Sequence, residues 1–348
     1  MENRIYSMAD EAIAAVGTTA TLTPLVEIRY NGIHELTSAE VIQEINERVS
    51  LNQQIDLLLV FSGGGGEDDE NYQLFRFDAT GAMQNTIVEN SRHIKTIKLW
   101  NYCSEKDEHD KYFTFFTKLV LGLFGKGTHL TYYSPSHEHQ FEIEQANQLA
   151  QAFRRLNNNN NDAIESFHFL VGNLTPVTFQ TLLDALLATI VRRLVFGNEN
   201  DADPPIEYNN NNIDFTGMKT NTSLKELNLT GYHMREEDYR NLFHSMKVNK
   251  GLVGLHFCYT TYKDLSEEMK RLFEEMMCEN ITLLDCILDT EGEDVQDGIF
   301  ELIQFHMKVN RMWKRYMMQR EREKKTRTVI TRIEEGDNNN NNEEEERK

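Results

Sequence analysis

Residues 221–231 read NTSLKELNLTG, and the stretch is echoed by NKGLVGLHF from Asn249 and NITLLDCIL from Asn280. In each, three apolar residues occupy an LxxLxL frame: Leu224, Leu227, Leu229; Leu252, Leu255, Phe257; and Leu283, Cys286, Leu288. Looser copies come earlier, as Ile94, Ile97, Leu99; Ile164, Phe167, Phe169; and Val191, Leu194, Phe196. Alternation over so short a run predicts a strand with one buried face.

Between these strands a second frame repeats with helical spacing i, i+3, i+4, i+7. It reads Tyr239, Leu242, Phe243, Met246, then Met269, Leu272, Phe273, Met276, then Ile299, Leu302, Ile303 with His306. Upstream it reads Ala146, Leu149, Ala150, Phe153, then Phe179, Leu182, Leu183, Leu186, and more loosely Phe113 to Val120. Between Phe179 and Tyr239 the step is two units long, and GNENDADPPIEYNNNNIDFTGMKT stands where the middle helix belongs. One apolar strand and one amphipathic helix cannot close a core, but stacked copies bury a continuous one. The expected fold is therefore α/β, an irregular solenoid with parallel strands on the concave side and helices on the convex side.

The frame resembles the leucine-rich repeat family in its longer, ribonuclease-inhibitor-like form, over residues 90–316. The segment FELIQFHMKVNRMWKRY is similar to the closing helix of intracellular repeat proteins of diatoms and other protists. That family places Asn or Cys eight residues after the first Leu, to bond backbone in the turn. Here the place holds Tyr102, Gly172, Glu199, Tyr232, Thr260 and Glu291, so the internal ladder is expected to be missing. Three segments follow: an N-terminal capping unit or atypical first repeats (1–89), the repeat region (90–316) with an insertion at 197–220, and a tail (317–348) holding the end of a basic helix and a disordered acidic, Asn-rich run. Within the first, LVEIRY and IDLLLVF read as strands around a helix over Ser38 to Ser50, with Thr37 and Glu40 at capping-box spacing. YQLFRFDATG reads as a hairpin arm or an added strand.

The chain has 348 residues and a net charge of −20. Residues 308–332 hold ten basic and two acidic residues (+8) and 333–348 sum to −5, so 1–307 carry −23. So acidic a body argues against nucleic acid or an anionic membrane as partner. The N-terminus lacks a basic flank followed by an apolar run, and no apolar stretch is long enough to span a bilayer. Cys103, Cys258, Cys278 and Cys286 form no metal spacing. The expectation is a cytoplasmic or nuclear protein with buried thiols.

No catalytic or cofactor motif stands out. LLLVFSGGGGEDDEN runs a strand into glycines, but Glu67, Asp68, Asp69 and Glu70 repel phosphate where a cradle needs Lys. His137 and His139 in SPSHEHQ lack a marked third metal ligand. The Asn-x-Ser/Thr matches at Asn173, Asn221, Asn228 and Asn280 are weak signals, and a glycan on Asn228 would block the inner face. The asparagine runs (157–161, 209–212 and 338–342) read as loop and tail expansions.

Function rests on the residues beside the strand leucines. Lys98, Trp100, His168, Arg193, Glu226, Asn228, His256 and Asp285, with Leu170, Val195 and Ile287 among them, are expected on the concave face. A rigid sheet carrying mixed aromatic, basic and polar groups suits a protein partner, so the expected function is a non-enzymatic protein-binding adaptor. The first alternative is a regulator of a small GTPase, since the family resemblance extends to Ran GTPase-activating proteins, with Arg29, Arg92 or Arg193 as conceivable contributors. The second is a calmodulin-like partner at Ile303 to Lys325, a basic amphipathic helix with Trp313 and half of an IQ-type motif. The same apolar stripe equally serves to seal the last repeat, with its basic face on the acidic body.

Overall fold

The computed structural model describes residues 25–31, 38–61, 81–103, 106–122, 128–134, 141–157, 164–171, 174–197, 212–229, 234–258, 266–289 and 299–345. Strands and helices alternate. They are β1 (Leu25–Asn31), α1 (Ser38–Ser50), β2 (Gln54–Phe61), α2 (Gly81–Glu89), β3 (Ile94–Asn101), α3 (Lys106–Gly122), β4 (His129–Ser134), α4 (Ile143–Asn157) and β5 (Ile164–Val171). Then come α5 (Pro176–Leu187), β6 (Val191–Gly197), a 3₁₀ turn (Thr216–Lys219), β7 (Glu226–Asn228), α6 (Glu236–Val248), β8 (Gly254–Cys258), α7 (Glu267–Glu279), β9 (Asp285–Asp289) and α8 (Ile299–Glu345).

All nine strands lie in one open sheet in sequence order, and every neighbouring pair is parallel. A parallel pair needs a crossover, and among the described residues a helix supplies it at every step except β6 to β7. The two strands read in the first ninety residues join this same sheet as β1 and β2. The loop 62–66 and its acidic continuation, YQLFRFDATG except its final Gly81, Thr37, and the pair His137 and His139 lie outside the described residues.

The frame residues whose side chains are described face the helices. Ile97, Leu99, Phe167, Phe169, Leu227, Leu229, Leu255 and Phe257 are all fully buried, as are Tyr239, Phe243 and Met246 opposite them. Aromatic rings carry the core from unit to unit, with Phe243 lying 5.3 Å from Phe273 and Phe179 lying 4.6 Å from Phe196. In the described part of the double-length step a 3₁₀ turn packs in the helix layer. Ile213, Phe215 and Met218 fill that part of the layer, held by bonds from Ile213 N–H to Asp238 Oδ1 (2.6 Å) and from Asn241 Nδ2 to the Ile213 carbonyl (3.1 Å).

Two features depart from the sequence reading. Strand β4 carries no full LxxLxL frame, because Gly127 falls on its first position and only Leu130 and Tyr132 follow; pairing with β3 and β5 makes it a strand. The second is a side-chain ladder that the sequence reading did not name; of the positions where a ladder was expected to be missing, Gly172, Glu199, Tyr232, Thr260 and Glu291 lie outside the described residues. The ladder uses the asparagines that open each quoted stretch, three residues before the first leucine.

Asn249 donates from Nδ2 to the carbonyls of Met218 and Asn221, one repeat back, and accepts at Oδ1 from the N–H groups of Gly251 and Leu252. Asn280 donates to the Met246 and Asn249 carbonyls and accepts from the N–H groups of Thr282 and Leu283. Asn221 begins the ladder on the Leu187 carbonyl, and Asn310 ends it on those of Asn280 and Leu283. An amide both donates and accepts, so one short side chain satisfies the backbone of two successive turns. Gly251 belongs to the same close packing: a Cβ there would lie 2.5 Å from the Asn221 carbonyl oxygen.

Candidate protein-binding face

The helices cover one face of the sheet and leave the other open. Register places three rows of side chains on that open face. The first runs Asp56, Thr96, His129, Ser166, Arg193, Glu226, Gly254, Asp285. The second runs Leu58, Lys98, Thr131, His168, Val195, Asn228, His256, Ile287. The third, nearest the strand C-termini, holds Val60, Trp100, Tyr133 and Leu170.

All eight residues singled out in the sequence lie in these rows. Lys98, Arg193 and Asp285 are exposed, and Trp100, His168, Glu226, Asn228 and His256 are half-buried. They do not form one cluster. Arg193 sits beside Glu226, with Nε and Nη2 both 2.7 Å from one carboxylate oxygen. His256 Nε2 stands 3.5 Å from Asp285 Oδ2, an electrostatic contact longer than an ordinary hydrogen bond. The imidazole holds the Asp285 carboxyl below the usual carboxylate range.

His168 occupies the middle of the face, and its Nε2 is buried without a hydrogen-bond partner. Burial, reinforced by Arg193, His129 and Lys98, lowers its pKa to about 4, so it is neutral at pH 7. Beside it His129 Nδ1 and Ser166 Oγ are 2.8 Å apart. Burial lowers the His129 pKa as well, against the pull of Glu165 and Asp56. Ser166 is itself buried, so this pair reads as a satisfied structural contact, not an exposed nucleophile.

The contribution of β4 was hidden by its incomplete frame. Tyr133 brings a ring 5.8 Å from Trp100 and 5.5 Å from Tyr102, and Trp100 and Tyr102 lie 6.3 Å apart, all edge-to-face. Tyr102 is 42% exposed and the other two are half-buried. Val60 and Leu170 flank the group along the third row. The result is an amphipathic aromatic surface with Lys98 one row away.

The C-terminal helix begins as a seal. Ile299, Ile303, Met307 and Asn310 are buried against the last repeat, and Arg311 Nε donates to the Leu284 carbonyl (3.0 Å). Every side chain from Arg311 to Lys324 is nonetheless exposed. The helix runs on to Glu345, through most of the segment 317–348. Among the described residues, no group of three or more His, Cys, Asp or Glu is placed to hold a metal ion. No described helix is long and apolar enough to cross a membrane.

No family model matches this chain. No curated protein matches it either. Among solved structures it is similar to leiomodin-1 actin-binding site 2, at 15% identity and a TM-score of 0.31, over 52% of this chain and 82% of that one. So distant a likeness bears on neither the fold nor the function.

Proposed function

We propose that the chain is a non-enzymatic interaction module of the leucine-rich-repeat, ribonuclease-inhibitor-like type, which binds a protein partner on the open face of its sheet. The observation that carries this reading is the aromatic group formed by Trp100 on β3, Tyr133 on β4 and Tyr102 just past the end of β3, at the C-terminal end of a rigid sheet. Aromatic side chains held rigid at a surface, with apolar neighbours and a nearby cation, are what dominate binding energies at protein interfaces. Val60, Leu170 and Lys98 supply those surroundings. The remaining polar rows give such a partner its orientation.

The test is quantitative capture from lysate with the wild-type chain, Trp100→Ala/Tyr133→Ala, and a convex-side control at the exposed Arg154 (Arg154→Ala). Loss of two anchoring rings costs about 3–6 kcal/mol at an interface, so the partner is expected to vanish from the double variant alone. Unchanged capture by all three removes the reading. Regulation of a small GTPase through a contributed arginine has less behind it: Arg193 is held by Glu226, and Arg92 Nε donates to His93 Nε2 at 3.2 Å. A calmodulin-like partner for the C-terminal helix is a second reading, and the uncovered apolar side chains past Asn310 favour it.

A further inference from the structure

The two helices before the last one stop where the asparagine ladder meets them: α6 ends at Val248 and α7 at Glu279, with Asn249 and Asn280 as the first residues out of helix. Asn310 makes the donated half of these contacts, to the Asn280 and Leu283 carbonyls, yet α8 does not stop. At about 1.5 Å per residue, Arg311 to Lys324 alone carry it about 20 Å past the last rung.

Seven of the fifteen large apolar residues exposed among the described ones fall between Phe305 and Met318; the other eight are scattered from Leu51 to Ile287. Scattered exposure is ordinary, whereas a contiguous patch marks a contact surface. At 100° per residue, Phe305, Val309, Met312, Trp313 and Tyr316 fall in one stripe about 100° wide. Lys308, Arg311, Lys314, Arg315 and Arg322 occupy the half of the helix away from it, with Met318 among them, while Arg320 lies in the stripe's sector over the Tyr316 ring. Trp313 and Tyr316 lie 5.6 Å apart within the stripe.

We propose that α8 from Phe305 to Lys324 is a docking helix that inserts into the apolar groove of an acidic protein, one that closes around it. This deepens the calmodulin-type reading and rests on it. The contact moves off Ile303 and Met307, which are buried in the last repeat, and onto the following three turns. Charge favours that occupant: residues 308–332 hold ten basic and two acidic side chains. A second copy of this helix would set like charge against like. A flat bilayer would meet the apolar stripe but leave the opposite basic half in water, whereas a groove that wraps the helix meets both.

The test uses the full-length chain and calcium-loaded calmodulin as the probe, titrated by calorimetry at physiological salt. Binding with a Kd of about 10 μM or tighter is expected. Met312→Glu/Trp313→Glu, at exposed positions that leave the fold intact by circular dichroism, weakens it by about 100-fold or more. Lys314→Glu/Arg315→Glu weakens it less, and that difference shrinks at about 1 M salt. Arg154→Ala, at the exposed position on α4, leaves the affinity unchanged. Binding that ignores the Met312/Trp313 variant overturns the assignment to this segment while the calmodulin-type reading stands. No binding by the wild-type chain overturns both. Trp313-dependent binding to anionic vesicles, or Trp313-dependent dimerisation in sedimentation, in place of calmodulin binding also overturns the proposal, in favour of a membrane or a second copy.

Discussion

The asparagine ladder makes a sharp stability prediction at Asn249. Its side chain is 3% exposed and makes four hydrogen bonds, two donated and two accepted. A buried hydrogen bond contributes about 1 kcal/mol net, and a stranded buried N–H or carbonyl costs about 1–3 kcal/mol. Asn249→Ala removes all four together and leaves the N–H groups of Gly251 and Leu252 without that acceptor, so the expected loss is about 4 kcal/mol. Native domains are stable by about 5–15 kcal/mol in total, so the change is large. In urea, with a slope near 3 kcal/mol per M, the midpoint falls by about 1.3 M. Because a repeat array is held together by neighbours, hydrogen exchange adds a local readout: amides of β7 to β9 lose protection while those of β2 to β5 keep it. Asn249→Asp keeps both acceptors but sets a carboxylate against the Met218 and Asn221 carbonyls, and is expected to do comparable harm. Asn147→Ala, at an exposed position on α4, is the control, with a change below about 0.5 kcal/mol. A loss under about 1 kcal/mol for Asn249→Ala would refute the claim that the ladder holds the turns together.

Three further outcomes follow from particular residues. Gly251→Ala pushes a Cβ to 2.5 Å from backbone oxygen and 2.6 Å from the Thr222 Cα, atoms that cannot swing aside, so thermal melts should show a loss of about 2–3 kcal/mol. His168 is neutral in the folded chain down to about pH 4, whereas the unfolded chain protonates it near 6.5. Its effect is therefore absent above about pH 7 and grows as pH falls toward 4, destabilising the fold by up to about 3 kcal/mol; the stability of His168→Gln should fall less than wild type's between pH 7 and 4.5. Cys278 is exposed, while Cys103 and Cys286 are buried and burial pushes the Cys286 thiol up to about 12. Iodoacetamide followed by mass spectrometry should therefore label Cys278 in the folded chain, and Cys103 and Cys286 only after denaturation.

Local chemistry made much of this protein legible from its sequence. The alternation of Leu224, Leu227 and Leu229 and the helical spacing of Tyr239 to Met246 dictate which side chains are buried, because both periods are properties of the backbone itself. They gave the strands, the helices and the open face, and so placed Lys98, Trp100 and His256 on it. What needed the tertiary structure was whatever depends on neighbours. HLTYYS became β4 through pairing on both sides, and with it came Tyr133 and the aromatic group that a single frame could not reveal. Asn221, Asn249 and Asn280 stood in plain sight at intervals of about one repeat, but their role appears only when successive turns stack closely enough for one amide to bridge two of them. Likewise α8 is apolar on more than one side, and only its docking on the last repeat decides that Ile303 and Met307 are core while Phe305 and Trp313 face water.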